Sequence, residues 1–400
     1  MDTFLPLFIT ALASILAVNW VFPKVLQMAK NRNLVDSPDT RKLQHEPVPV
    51  MGGLAVSFGV VVGIFVGLAS AKLLGGKDLS VDYSVLLSMI VMLLIGAIDD
   101  IKGLSPLTRF ILEILVILGI VFCSGICIDS LHGLWEIEEF SWWIAVPLTV
   151  IACVGIINAI NMIDGVNGLS SSFCILCTLF FGLLFAMSDA LVLSIINLSM
   201  AASLIPFMIH NVIGLRSKMF IGDAGTMVLG VLISYDVVML LCKETPVAAL
   251  YADAGHCGVV AMVLATLAVP IADTLRVMTM RILRHQSPFL GDKTHFHHLL
   301  MDYSHSHTLT TLTEVFIALL ILLLWALSSM LGIGEEGQLY VVLLSSMLLM
   351  WGGYGYLDSH RSARSGIAWR LRQLFARLRQ GETAWWRRMQ ERVDGYTSMK

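Results

Sequence analysis

Four short stretches hold the residue types that could act together on a phosphorylated substrate. Asp99 and Asp100 stand side by side in AIDDIKGLSP, and Asp223 lies between Gly222 and Gly225 in FIGDAGTMVLG. Asn158, Asn161, Asp164 and Asn167 share the stretch NAINMIDGVNGL, and His295, His297 and His298 form HFHH just after Asp292 and Lys293. Glycines let a backbone approach a ligand closely, and the N–H groups that open a helix favour phosphate. Mg²⁺ takes one or two carboxylates together with phosphate oxygens. Each stretch also has a plainer reading. The paired aspartates, followed by Gly103 and Pro106, suit a solvated turn, and Asp223 suits a helix N-cap. The histidines make a poor zinc site, because adjacent residues on a helix point apart and no carboxylate or thiol has zinc spacing. Imidazoles beside Lys293 better suit a phosphate or an acidic substrate. His305 and His307 read as exposed loop histidines.

The elements that must position these residues follow from composition. The 400 residues are 57% apolar and only 14% charged, with a mean hydropathy of +0.81. A soluble domain carries about 25% charged residues, so a water-soluble fold is excluded. A membrane-spanning helix needs roughly 20 apolar residues. Runs near 4–22, 51–71, 84–98, 107–127, 142–160, 170–187, 190–209, 225–242, 257–280, 309–333 and 339–357 predict eleven such helices in an all-α polytopic protein. The third is short, and only Ser188 and Asp189 separate the sixth from the seventh. The first run does not read as a cleaved signal peptide, since its positive charges follow it.

If the segment after the first span is cytoplasmic, all but three of the 26 Lys and Arg residues fall on that side; the exceptions are Lys72, Lys77 and Lys243. The asymmetry predicts an N-terminus outside and a C-terminus inside. Residues 1–357 then form one catalytic membrane domain and 358–400 a basic cytoplasmic tail. That tail, with Trp369, Trp385 and Trp386, reads either as an amphipathic helix on an anionic leaflet or as a solvated tail that only enforces topology. The seven cysteines lie in or beside apolar runs, as small membrane-buried hydrophobes. Asp129, Glu136, Glu138 and Glu139 beside Trp135 read as a solvated outer patch.

All four polar stretches fall on the predicted inner side, in segments far apart in sequence. That gathering suggests one active site at the helix ends. Arg109 and Glu113, four apart, and Asp273 and Arg276, three apart, read as ion pairs on their helices. Asp236 sits well inside the eighth span with no partner near it in sequence.

Together these motifs resemble the polyprenyl-phosphate N-acetylhexosamine-1-phosphate transferases, glycosyltransferase family 4, in the undecaprenyl-phosphate GlcNAc-1-phosphate branch. HEPVPVMGG, AIDDIKGLSP, NAINMIDGVNGL, FIGDAGTMVLG and HFHHLL occur in the family's order, from about residue 24 to 300. The resemblance implies that Asp99 and Asp100 are the family's acidic pair, assigned to Mg²⁺ or to deprotonating the lipid phosphate. It also implies that Asp223 binds Mg²⁺, with Mn²⁺ able to substitute. Asn158, Asn161, Asp164 and Asn167 would lie on the nucleotide side. Lys293, His295, His297 and His298 would meet the substrate phosphates, and Lys42 and His45 would be basic residues of the first inner loop. Two positions depart from the pattern: Asn167 replaces an aspartate associated with uracil recognition, and Thr226 replaces a serine.

The implied reaction joins a UDP-N-acetylhexosamine to undecaprenyl phosphate in the inner leaflet of the cell membrane. It releases UMP and begins a lipid-linked envelope polysaccharide such as O-antigen lipopolysaccharide. No nucleic acid is expected as a partner, and a homodimer is compatible with the Trp- and Met-rich outer faces. Two alternatives are a phospho-MurNAc-pentapeptide transferase, disfavoured by Phe296 interrupting the histidines, and an ion-coupled transporter, to which only Asp236 points.

Overall fold

The computed structural model describes residues 3–36, 47–75, 79–247, 258–287, 294–378 and 384–398. Within them the chain is helical almost throughout. Eight membrane-length helices run from the N-terminus: α1 (Phe4–Asn31), α2 (Gly52–Gly75), α3 (Tyr83–Lys102), α4 (Pro106–Ser124), α5 (Trp142–Met162), α6 (Leu169–Met187), α7 (Leu191–Val212) and α8 (Gly222–Leu241). Next come α9 (Val259–Thr266) and α10 (Ala268–Leu283), an apolar pair that meets at a 76° bend. A short α11 (Phe296–Ser304) precedes the last two spans, α12 (His307–Met330) and α13 (Glu335–Ser359). Two tail helices follow, α14 (Gly366–Leu378) and α15 (Ala384–Ser398).

Each predicted span has its helix, with three differences. The third is a full 20 residues, and the first extends to Asn31, carrying Lys24 and Lys30 on its last turns. The ninth breaks at Leu267. A tight turn through Asp189, whose φ is +57°, parts α6 from α7 as two separate spans.

α8 is apolar all round and is therefore buried at the centre, packed against α2, α3 and α5. α1, α2 and α7 form a second close unit, because α2 carries glycines where its neighbours approach. A Cβ at Gly63 would lie 1.9 Å from Ser14 Oγ of α1 and 2.7 Å from Ser199 Oγ of α7. Apolar solvent gives packed helices no hydrophobic reward in a bilayer, so small residues that admit close contact take over that role. Asp236, unpartnered in its own stretch of sequence, accepts a 2.8 Å hydrogen bond from Asn197 Nδ2 of α7, which satisfies it in the core.

Two short strands tie the segment between α1 and α2 to the start of α8. β1 (Val35–Asp36) pairs antiparallel with β2 (Val48–Pro49), and Val50 bridges to Phe220 in parallel. Gly52 and Gly53 donate their N–H groups to the carbonyls of Phe220 and Ile221 at 2.9 and 2.7 Å.

Candidate active site

The start of α8 is the fixed point of the site. Gly53 of α2 and Gly96 of α3 abut its backbone so tightly that a Cβ on either would come within 2.2–2.4 Å of Gly225 or Ala224. That approach lets Asp100, near the end of α3, reach across. Its two carboxylate oxygens accept the N–H groups of Asp223 at 2.8 Å and Ala224 at 3.1 Å. Asp100 thus supplies the N-terminal cap that α8 lacks in its own sequence, satisfying donors orphaned at a helix start. Gly222 takes φ +73°, and a Cβ there would press on the Asp100 carboxylate at 2.6 Å.

Asp99 and Asp223 converge from opposite sides on one cation. Arg109 Nη1 lies 3.6 Å from Asp99 Oδ2 and 3.6 Å from Asp223 Oδ1. The same guanidinium reaches Glu113 at 3.6 Å and donates to Asn158 Oδ1 at 3.2 Å, while Asn158 Nδ2 donates to Glu113. The predicted Arg109–Glu113 pair is therefore present, but it is one edge of a larger cluster. Asn158 belongs to that cluster. Asn161 Nδ2 donates to Asp223 Oδ1 and to Thr226 Oγ1 at 2.5 and 2.7 Å. Thr226 keeps the hydroxyl that the family's serine would present, and uses it.

From Asn161 the chain turns through Asp164, Gly165 and Asn167 into α6. Ser170 Oγ donates to Asp164 Oδ1, yet burial dominates and pushes the Asp164 carboxyl up to about 7. Asn167 is held through its backbone: its N–H donates to His307 Nδ1 at 3.3 Å and its carbonyl accepts from Thr311 at 3.0 Å. His307 is thus a half-buried helix-start residue bound to this loop, which corrects the expectation of an exposed histidine. His305 is exposed, as expected.

The histidines lie across the same loop. His297 packs so closely on Gly165 that a Cβ there would sit 2.6 Å from its Nε2. Its ring lies 5.5 Å from that of His295 and 4.4 Å from that of His298. Burial, then the neighbouring histidines, holds the His297 pKa well below the ordinary value, and its Nδ1 has no hydrogen-bond partner among the described residues. His298 is the only one of the three that is not buried.

Asp273, on α10, positions the histidine segment. It accepts from His295 Nδ1 at 2.8 Å, from the Phe296 N–H at 3.1 Å and from Arg276 at 2.7 Å. Arg276 in turn donates to the Thr294 carbonyl at 2.6 Å and stacks over Tyr354, 3.6 Å from its ring centre. The sequence showed only an i,i+3 ion pair here. Its signal was a pair of charges one turn apart in an otherwise apolar span. Lys42, His45 and Lys293 lie outside the described residues.

No group of three or more His, Cys, Asp or Glu side chains able to hold a metal occurs among the described residues. Mg²⁺ does not require one. One or two carboxylates completed by phosphate oxygens is the donor set this ion takes, and Asp99 and Asp223, which share Arg109 as a neighbour, supply two carboxylates. The residues present fit it.

A polytopic helical bundle with an acidic cluster at the ends of its helices defines an integral-membrane enzyme. Residues 83–241 match the family described as Glycosyl transferase family 4. A Bacillus subtilis (strain 168) protein named "Probable undecaprenyl-phosphate N-acetylglucosaminyl 1-phosphate transferase" is 30% identical over 302 residues, covering 75% of this chain and 79% of that protein. The decaprenyl-phosphate N-acetylglucosaminephosphotransferase of Mycobacterium leprae is 31% identical, covering 70% of this chain and 73% of its own. The undecaprenyl-phosphate alpha-N-acetylglucosaminyl 1-phosphate transferase of Yersinia pestis is 28% identical, covering 86% and 88%. The chain belongs to glycosyl transferase family 4, the polyprenyl-phosphate sugar-phosphate transferases.

Proposed function

We propose that the protein transfers N-acetylglucosamine 1-phosphate from its UDP-sugar to undecaprenyl phosphate, releasing UMP, at the cytoplasmic face of the cell membrane. The observation that carries this reading is the convergence of Asp99 and Asp223 on Arg109, in a chain whose relatives bear these transferase names. The positive charges support an N-terminus outside and a C-terminus inside, which sets the site where a cytoplasmic donor meets a leaflet-bound acceptor.

In the reaction an oxygen of the lipid phosphate attacks the sugar-bearing phosphorus. A new P–O bond forms as the bond to UMP breaks, and UMP leaves with the electron pair. Both reactants are anions, so positioning and charge neutralisation are the protein's main tasks. A phosphomonoester is largely ionised near pH 7, with a second pKa of about 6, so no strong general base is required. Asp99 and Asp223 would hold Mg²⁺, which when bound neutralises charge on the diphosphate and on departing UMP. Arg109 keeps the two carboxylates together. Asn161 orients Asp223, and Asp100 fixes the helix start that carries it. With each oxygen on a backbone N–H group, Asp100 positions the start of α8. His298, half-buried where His295 and His297 are buried, would be the histidine that meets a substrate phosphate.

Purified protein with undecaprenyl phosphate, Mg²⁺ and a panel of UDP-sugars tests the reading. UDP-GlcNAc should yield labelled extractable lipid. Turnover confined to UDP-MurNAc-pentapeptide, or to none of the panel, would overturn the sugar assignment.

A further inference from the structure

The tail helix α14 carries an apolar stripe that its own fold leaves uncovered. Ala368 and Phe375 are buried at 0% and 4% exposure, packed with the core cluster that includes α11, and Arg372 lies over Tyr303 at 4.8 Å. That packing fixes how the helix is rotated. At about 100° per residue, Ile367, Leu374 and Leu378 fall in one narrow stripe beside the packed face, and they remain 69%, 49% and 50% exposed. Arg370 and Arg377, both exposed, flank the stripe on its far side.

The position of this stripe matters as much as its composition. The membrane-length helix α13 ends at Ser359, and α14 begins at Gly366. The six connecting residues can span roughly 20 Å at most, so α14 starts close to the end of a membrane-length helix. The join is braced as well. Tyr303 of α11 donates to the Leu357 carbonyl at 2.7 Å, and Arg361 pairs with Asp302 and Asp358 at 2.7 and 2.8 Å. On α13 itself, Leu344, Met347 and Leu348 are likewise exposed.

We propose that the Ile367–Leu374–Leu378 face of α14 docks on anionic phospholipid, with its aliphatic side chains among the upper acyl carbons and Arg370 and Arg377 on headgroup phosphates. An apolar stripe edged by arginines is the pattern of a helix lying in a membrane interface. Each arginine near an anionic surface strengthens binding about fivefold. Because the adjoining face of α14 packs on α11, lipid docking would set the depth at which the histidine segment sits.

The test places single cysteines in the full chain, reconstituted in nanodiscs of phosphatidylcholine alone or with phosphatidylglycerol, so that both membrane faces are open to a water-soluble maleimide. Labelling of the unsubstituted chain is subtracted. Leu374→Cys should react at least about fivefold more slowly than Gln373→Cys in phosphatidylglycerol discs. The protection should fall in phosphatidylcholine, in high salt, and when Arg370→Gln and Arg377→Gln are added. Equal reactivity of the two cysteines in phosphatidylglycerol would show the stripe in water and overturn the proposal. Protection indifferent to lipid charge and to both arginines, as a second copy of the chain would give, would also overturn it.

Discussion

Replacing Arg109 with lysine keeps the charge and removes the fork that reaches Asp99, Asp223, Glu113 and Asn158 at once. An ammonium is a point charge on a flexible stem, so Arg109→Lys should lower transfer by roughly tenfold or more, read from initial rates at saturating donor. Asp164 gives a prediction of a different kind. Its ordinary value is 3.8, and burial raises it to about 7 in the folded chain. The unfolded chain therefore gives up this proton first, and folded stability falls as pH rises from about 4 to about 7, then levels off. Asp164→Asn removes that loss, which amounts to about 4 kcal/mol. Its melting temperature relative to the parent should rise between pH 5 and pH 8; a gap that stays flat would refute the shifted carboxyl. At this scale Asp99, Asp223 and Asn161 were legible in the sequence, because glycines and neighbouring polar groups mark them. Asp273 as the clamp on His295, and His307 as the anchor of Asn167, were not. Their partners lie 22 and 140 residues away, across contacts that no periodicity encodes.

At the scale of elements, the site depends on backbones in contact at the start of α8. A methyl at Gly96 would lie 2.4 Å from Ala224 Cα, against rigid main chain. Gly96→Ala should therefore push α3 from α8, part Asp100 from its two N–H donors, and cost about 1–3 kcal/mol of stability as an overpacked contact. Gly119→Ala in α4 meets nothing within 4 Å, and should hold or raise the melting temperature, since alanine outranks glycine as a helix former. The two variants measured side by side separate close packing from helix propensity. Spans were readable from apolar runs because a bilayer fixes their length. The break at Leu267 lies one turn ahead of Pro270, which has no N–H for the Thr266 carbonyl, so the carbonyl accepts from Cys177 Sγ instead; an apolar run on both sides hides the break, although the proline marks it.

At the scale of the molecule, the charge distribution predicts which surfaces face the cytoplasm. In intact cells a membrane-impermeant maleimide should label Leu74→Cys at the outer end of α2, and reach Arg364→Cys in the tail only after permeabilisation. The reverse pattern would invert the topology. The tail also shows what composition hides. Its ten positive charges read equally as solvated or membrane-bound, but the fold attaches it: Asp394 of α15 accepts the N–H groups of Leu215, Arg216 and Ser217 at 3.0–3.2 Å, just ahead of the loop carrying Asp223. The central claim, phosphoryl transfer at Asp99 and Asp223, is tested most directly by one comparison. Parent chain and Asp223→Asn are each given UDP-GlcNAc labelled in the sugar, undecaprenyl phosphate and a Mg²⁺ series, and lipid-linked label is counted against UMP. The parent should release one UMP per labelled lipid with a saturable Mg²⁺ requirement, and Asp223→Asn should lose that turnover. Full turnover by Asp223→Asn with the same Mg²⁺ dependence would contradict the account.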